Sequence, residues 1–132
     1  MFSWPVRVYW EDTDAGGIVF YANYLKFFER ARTEWLRSMG IEQQQLKAST
    51  GGMFVVVQTS VRYLRPARLD DELMVTASLQ QSGRASMTIG QQVLKKNTLL
   101  CEGSIRIGWV DASSMQAARI PLTIIESLRV KP

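Results

Sequence analysis

The sequence predicts an α+β fold in which a curved antiparallel sheet wraps around one long central helix. Three observations carry that prediction. A short alternating run opens the chain, one long helical pattern follows, and four further alternating runs succeed one another with turn residues between them. A helix of this length rises about 24 Å, enough to cross a whole sheet. Covering it requires a sheet that curls round it, leaving one sheet face and an edge strand open to self-association.

Each element has its own signature. The first strand is expected from Trp4 to Glu11, where Val6, Val8 and Trp10 alternate with Arg7, Tyr9 and Glu11. Asp12 to Gly17 breaks it with loop chemistry. The helix is expected from Tyr24 to Met39, capped by Asn23 and ended by Gly40 in the left-handed conformation. Leu25, Phe28, Ala31 or Arg32, Trp35 and Met39 make its apolar face, with Lys26, Arg30, Thr33 and Arg37 opposite. Arg30 and Glu34 have the spacing of an i,i+4 ion pair. Glu42 to Gly52 reads as a polar connection.

The remaining strands follow in succession. Phe54 to Arg65 alternates through Val55, Val57, Thr59, Val61 and Tyr63, and Pro66 to Asp71 turns the chain. Leu73, Val75, Ala77 and Leu79 mark the next strand, and Met87, Ile89, Gln91 and Val93 the one after it. Leu99 to Val110 carries Cys101, Ile105, Ile107 and Trp109 on one face. Together these runs suggest an antiparallel meander. Pro121 heads a short helical segment, Leu122 to Leu128. No repeat, linker or low-complexity stretch interrupts the chain, so one domain spanning residues 1–132 is expected.

Composition excludes several chemistries. The chain has 16 Lys+Arg against 12 Asp+Glu, one cysteine and no histidine. Nucleophilic sites that rely on an imidazole base cannot form, nor can zinc sites built on His or several Cys. Lone Cys101 cannot make an internal disulfide, and with no imidazole to activate it reads as a buried small hydrophobe. No secretory segment is visible at Met1 to Arg7, and the strongest apolar run, Met53 to Val57, has five residues. A soluble cytoplasmic protein with no membrane span is therefore expected. Lysines and arginines are scattered, so no nucleic-acid partner is expected, and neither is a metal or cofactor.

The densest polar constellation is Glu11-Asp12-Thr13-Asp14-Ala15-Gly16-Gly17, just before the helix start at Ile18 to Tyr24. Carboxylates lie at a strand end and a helix start follows within about ten residues, its first N–H groups having no internal acceptor and favouring negative charge. Such a pair can stabilise an oxyanion while the carboxylate attacks or activates water. Asp and Gly after a strand are also ordinary turn formers.

The stretch Val6 to Val19 containing Asp12-Thr13-Asp14, with Tyr24, Phe28-Glu29-Arg30-Ala31-Arg32-Thr33-Glu34 and Tyr63 to Asp71, resembles the hotdog-fold acyl-CoA thioesterases. It is most similar to the YbgC-type, tol-pal-associated branch of the 4-hydroxybenzoyl-CoA thioesterase family. The resemblance covers essentially the whole chain. It implies hydrolysis of an acyl-CoA thioester to a carboxylic acid and free coenzyme A. It also implies that Asp14 is the catalytic nucleophile or general base, that the Tyr21 N–H polarises the carbonyl, and that Gly17 lets the loop approach the substrate. Relatives in the YbgC-type branch commonly carry His where this chain has Tyr21; a backbone role survives that change.

Further substrate contacts are expected from the basic residues and from the same resemblance. Arg84 lies where related enzymes place nucleotide-contacting basic residues. Arg65 and Arg68, flanking the proline turn, are further candidates for the coenzyme A phosphates. For all three, a solvated surface charge is the alternative. A homodimer or homotetramer is implied, with the facing subunit supplying Val57-Gln58-Thr59-Ser60. Thr59 is therefore a substrate-binding candidate. Acyl carrier protein is an alternative donor to coenzyme A. Asp12 reads as structural, and Glu29 as a second catalytic candidate whose alternative is an ion pair with Arg32. The rivals are a hydratase on the same fold, a non-catalytic acyl-binding or carrier-docking module, and a nucleic-acid-binding module. The hydratase resembles sites with an Asp-His or Glu-His pair that this chain lacks.

Overall fold

A computed structural model describes residues 1–130. Strand β1 (Phe2–Arg7) is followed by helix α1 (Tyr24–Ser38), a second helix α2 (Gln43–Thr50), and strands β2 (Gly52–Tyr63), β3 (Glu72–Ser82), β4 (Ser86–Lys95) and β5 (Thr98–Asp111). Helix α3 (Leu122–Val130) closes the described chain. The strands form one antiparallel sheet in the order β1-β3-β4-β5-β2. It wraps around α1 in the hotdog arrangement.

The helix is held by its apolar face. Tyr24, Phe27, Phe28, Ala31, Trp35 and Leu36 are buried against the inward residues of the sheet. Those residues match the alternation: Leu73, Val75 and Ala77 from β3, Met87, Ile89 and Val93 from β4, and Cys101, Ile105, Ile107 and Trp109 from β5. Ile124, Ile125 and Leu128 of α3 extend the same core. Gly40 has φ 79°, the left-handed residue that ends α1. Among the described residues no helix is long and apolar enough to cross a membrane.

Five local expectations are corrected. The first strand ends at Arg7, not Glu11, because Asp12 draws the chain into a 3₁₀ turn over Trp10–Asp12. Its carboxylate accepts the Tyr9 N–H at 2.8 Å, and its own N–H donates to Tyr9 O at 3.0 Å. Such a side-chain bond competes with strand pairing. Trp10 consequently stands 82% exposed rather than in the core. The supposed polar connection contains α2, which lacks a wide apolar face and rests on Leu46.

The other three corrections concern pairing. Arg30 makes no ion pair with Glu34, which instead binds Arg37 at 2.6 Å, while Arg30 lies 5.9 Å from the Phe27 ring. Asn23 does not cap α1 with its side chain; its Nδ2 donates to Asp12 O at 2.9 Å. The meander holds for β3, β4 and β5, whereas β2 pairs with β5 at the far edge. Leu64 and Arg65 both donate to Leu100 O, which turns the chain off that edge and back past the helix start. A bulge at Val57 shifts the phase of β2, so Phe54 and Val61 both reach the core despite their odd spacing.

Candidate active site

The site grows from the turn that Asp12 creates. Buried Asp12 offers its carbonyl to both Phe20 N–H (2.9 Å) and Asn23 Nδ2 (2.9 Å), tying the end of the first segment to the start of the helix. Between these points the chain makes a tight loop. Asp14 N–H donates to Ile18 O at 2.9 Å, Gly17 N–H donates to Asp14 O at 3.0 Å, and Thr13 bridges Val19. Gly17 takes φ 78°, a conformation that a side chain would strain. The Asp14 carboxylate is exposed, and its Oδ1 accepts the Gly16 N–H at 2.8 Å.

The loop is stitched to the body of the protein. Val19 N–H donates to Ala67 O at 2.9 Å, and Ile18 forms an antiparallel bridge with Arg68. The helix begins in a 3₁₀ turn, Tyr21–Asn23, that runs directly into α1. Among the described residues no acceptor takes the Tyr21 N–H, as the first positions of a helix require. The Tyr21 ring is 62% exposed. Its carbonyl accepts the Tyr63 hydroxyl at 3.1 Å, and the two rings meet edge-on, 6.1 Å apart. Tyr24 OH in turn accepts the Ala67 N–H at 3.1 Å. Burial raises the Tyr24 and Tyr63 phenols above their ordinary pKa, so both are neutral at physiological pH.

Asp14 and Gly17 share one loop through the Gly17 N–H bond to Asp14 O, Arg68 lies alongside through its bridge to Ile18, and Tyr21 opens the helix start that follows the loop. Arg65 lies at the same end of the sheet, its N–H bonded to Leu100 O. Thr59 sits midway along β2 opposite Ile105, an exposed position on an inward-facing register. Arg84 lies in the β3–β4 turn at the other end, where Ser86 pairs with Gly108. Glu29 is on α1 and accepts the Thr33 hydroxyl; it makes no ion pair with Arg32. Tyr63 and Arg32 were not singled out by sequence reasoning. Alternation placed Tyr63 on its strand but carried no sign of its bond to Tyr21.

The sequence model of the thioesterase superfamily matches residues 16–102. The chain belongs to the thioesterase superfamily. Acyl-CoA thioester hydrolase YbgC from Escherichia coli O6:H1 is 42% identical over 130 residues, covering 98% of this chain and 96% of that protein. Acyl-CoA thioesterase YbgC from Haemophilus influenzae is 41% identical over 120 residues, covering 91% and 88%. A crystal structure of a hypothetical protein from Aquifex aeolicus superposes with a TM-score of 0.89 at 29% identity, over 97% of this chain and 99% of that one. The superfamily match begins at Gly16, two residues beyond Asp14. The full-length similarity to the YbgC thioesterases spans the loop as well.

Proposed function

We propose that this thioesterase-superfamily chain hydrolyses acyl-CoA thioesters, with Asp14 and the Tyr21 N–H as its working groups. The observation that supports the reading is a single loop, anchored through Asp12 O and Ala67 O, that carries the exposed Asp14 carboxylate and leads into a helix start whose Tyr21 N–H has no acceptor among the described residues. Similarity to YbgC thioesterases supplies the substrate class.

The chemistry follows from those two groups. As general base, Asp14 takes a proton from water while the oxygen attacks the thioester carbonyl carbon. Negative charge gathers on the carbonyl oxygen, where the Tyr21 N–H and the positive end of α1 stabilise it. Collapse breaks the C–S bond, and the proton held by Asp14 passes to the departing thiolate. The products are a carboxylic acid and free coenzyme A. As nucleophile, the Asp14 carboxylate would attack the carbonyl carbon and the C–S bond would break, expelling the thiolate and leaving a mixed anhydride. Water then opens the anhydride, freeing Asp14 and the acid, and the proton that water gives up ends on the thiolate.

Arg68, bridged to Ile18 of this loop, and Arg65 in the same turn would contact the coenzyme A phosphates, and Gly17 would let the substrate approach. The open edge of β2 suits a homodimer. Two β2 strands paired antiparallel would bring the Arg84 end and the Thr59 stretch of one chain toward the Asp14 end of the other. Coenzyme A or an acyl carrier protein would then approach across that junction. Purified protein assayed on a panel of acyl-CoAs, beside Asp14→Asn, tests the reading. The variant is expected to lose about two to four orders of magnitude in kcat at unchanged thermal stability. Full activity in Asp14→Asn would overturn the assignment; no turnover by the wild type would favour an acyl-binding module.

A further inference from the structure

Beneath α1 lies a polar anchor that the mechanism does not use. Gln91 is 2% exposed, and its Nε2 donates to Phe28 O at 3.0 Å and Thr76 O at 3.2 Å. Those bonds orient the amide so that Oε1 faces Arg32, whose Nη1 donates to it at 2.9 Å. A guanidinium has five N–H donors. Among the described residues Gln91 Oε1 is the hydrogen-bond partner of Arg32, and no carboxylate stands within ion-pair distance of it. No buried nitrogen is sealed without a partner, so the remaining donors open onto accessible space. Burial pulls the guanidinium below its ordinary pKa while the charge of Glu29 opposes.

That space is a cleft of about 150 Å³ between α1 and β2. Glu29, Arg32 and Thr33 line one wall, Phe54 and Val56 the other, with Ile107 beneath. The cleft lies in line with the proposed reaction centre. Leu25, Glu29 and Thr33 succeed one another at four-residue steps along the helix, starting one turn past Tyr21. β2 runs beside them in reverse, from Tyr63 against the Tyr21 ring to Phe54 at the cleft. From Tyr24 to Arg32 the helix rises about 12 Å, and long helical side chains lean back toward the N-terminus. A medium-length acyl chain extending from Tyr21 therefore ends near the guanidinium.

We propose that this cleft is the acyl subsite and that Arg32 selects aliphatic acyl groups carrying an oxygen acceptor at their far end over saturated chains of equal length. The proposal rests on the thioesterase reading above. Val56 and Ile107 accommodate methylene groups, while the end of the cleft presents N–H donors that a saturated chain would cover without satisfying. A hydroxyl or carboxylate oxygen accepts those bonds. A hydrogen bond to a charged donor in such a site discriminates by about tenfold to a hundredfold.

The test compares kcat/KM for hexanoyl-CoA, ω-hydroxyhexanoyl-CoA and adipoyl-CoA, with the matching octanoyl set, in wild type, Arg32→Met and Arg32→Lys. The wild type is expected to favour at least one oxygen-ended substrate by about tenfold or more over its saturated counterpart. That ratio should collapse toward unity in Arg32→Met and survive in part in Arg32→Lys. The hydroxyl and carboxylate arms identify which oxygen the subsite takes. If Arg32→Met fails to fold, the wild-type and Arg32→Lys ratios decide. Saturated substrates turned over as well as oxygen-ended ones, or a ratio indifferent to Arg32→Met, would overturn the subsite and leave thioester hydrolysis standing. Absence of turnover on every thioester would overturn both.

Discussion

The phenol of Tyr63 acts on a single peptide group. By donating to Tyr21 O while its ring packs against Tyr21 and Tyr24, it holds the 3₁₀ turn from which the Tyr21 N–H projects. Tyr63→Phe keeps the ring contacts and removes that bond. It should lower kcat by roughly tenfold, about the worth of one hydrogen bond, with KM and melting temperature little changed. Steady-state kinetics and thermal melts on the same preparation check this; an equal loss in KM would point to a binding role instead. The loop that carries Asp14 and Gly17 was legible in the sequence because Asp and Gly turn chemistry is local, as the left-handed Gly17 shows. Tyr63 and Arg32 were not. Their partners, Tyr21 O and Gln91 Oε1, stand far away in the chain and meet them only through folding.

At the scale of elements, the loop entering β3 is secured by Asp71. Its carboxylate binds Lys95 Nζ at 2.9 Å and accepts the Arg68 N–H at 2.8 Å, joining the Arg68 segment to β4. Burial by itself would raise its pKa, but the Lys95 and Arg68 bonds outweigh that and hold it below the ordinary value of 3.8. A group depressed in the folded state contributes stability above its unfolded pKa and loses it as pH falls through the folded value. Acid melts should therefore show stability falling as the pH drops below about 4, and Asp71→Asn should flatten that fall while lowering stability at neutral pH. A variant with the same acid profile as the wild type would assign the loss to other carboxylates. Among the elements, those with strong periodicity were legible from sequence, including α1 and the buried faces of β3, β4 and β5. Helix α2 was not, because Leu46 alone anchors it and no apolar stripe announced it.

At the scale of the molecule, the two sheet edges differ. β1 is short and carries Pro5, which discourages strand addition. β2 is twelve residues long, with Val56 and Val57 more than half exposed. An edge of that kind invites a partner strand, in keeping with the proposed homodimer. Val57→Lys should shift the protein to a smaller species in sedimentation velocity and reduce acyl-CoA turnover several-fold, because the site would lose the chain facing it. A single unchanged species with full activity would remove β2 from the interface. Within one chain, Arg84 lies at the opposite end of the sheet from Asp14.

The sequence by itself determined the hotdog architecture, the long helix and the acidic loop before it, because these depend on periodicity, turn chemistry and neighbours along the chain. Tertiary structure decided the placement of β2 at the far edge, the Tyr63 bond to the helix start and the Gln91 bond to Arg32 beside a cleft. Each of these joins groups separated by long stretches of chain. Local pattern carries no information about such meetings until the sheet has closed round the helix.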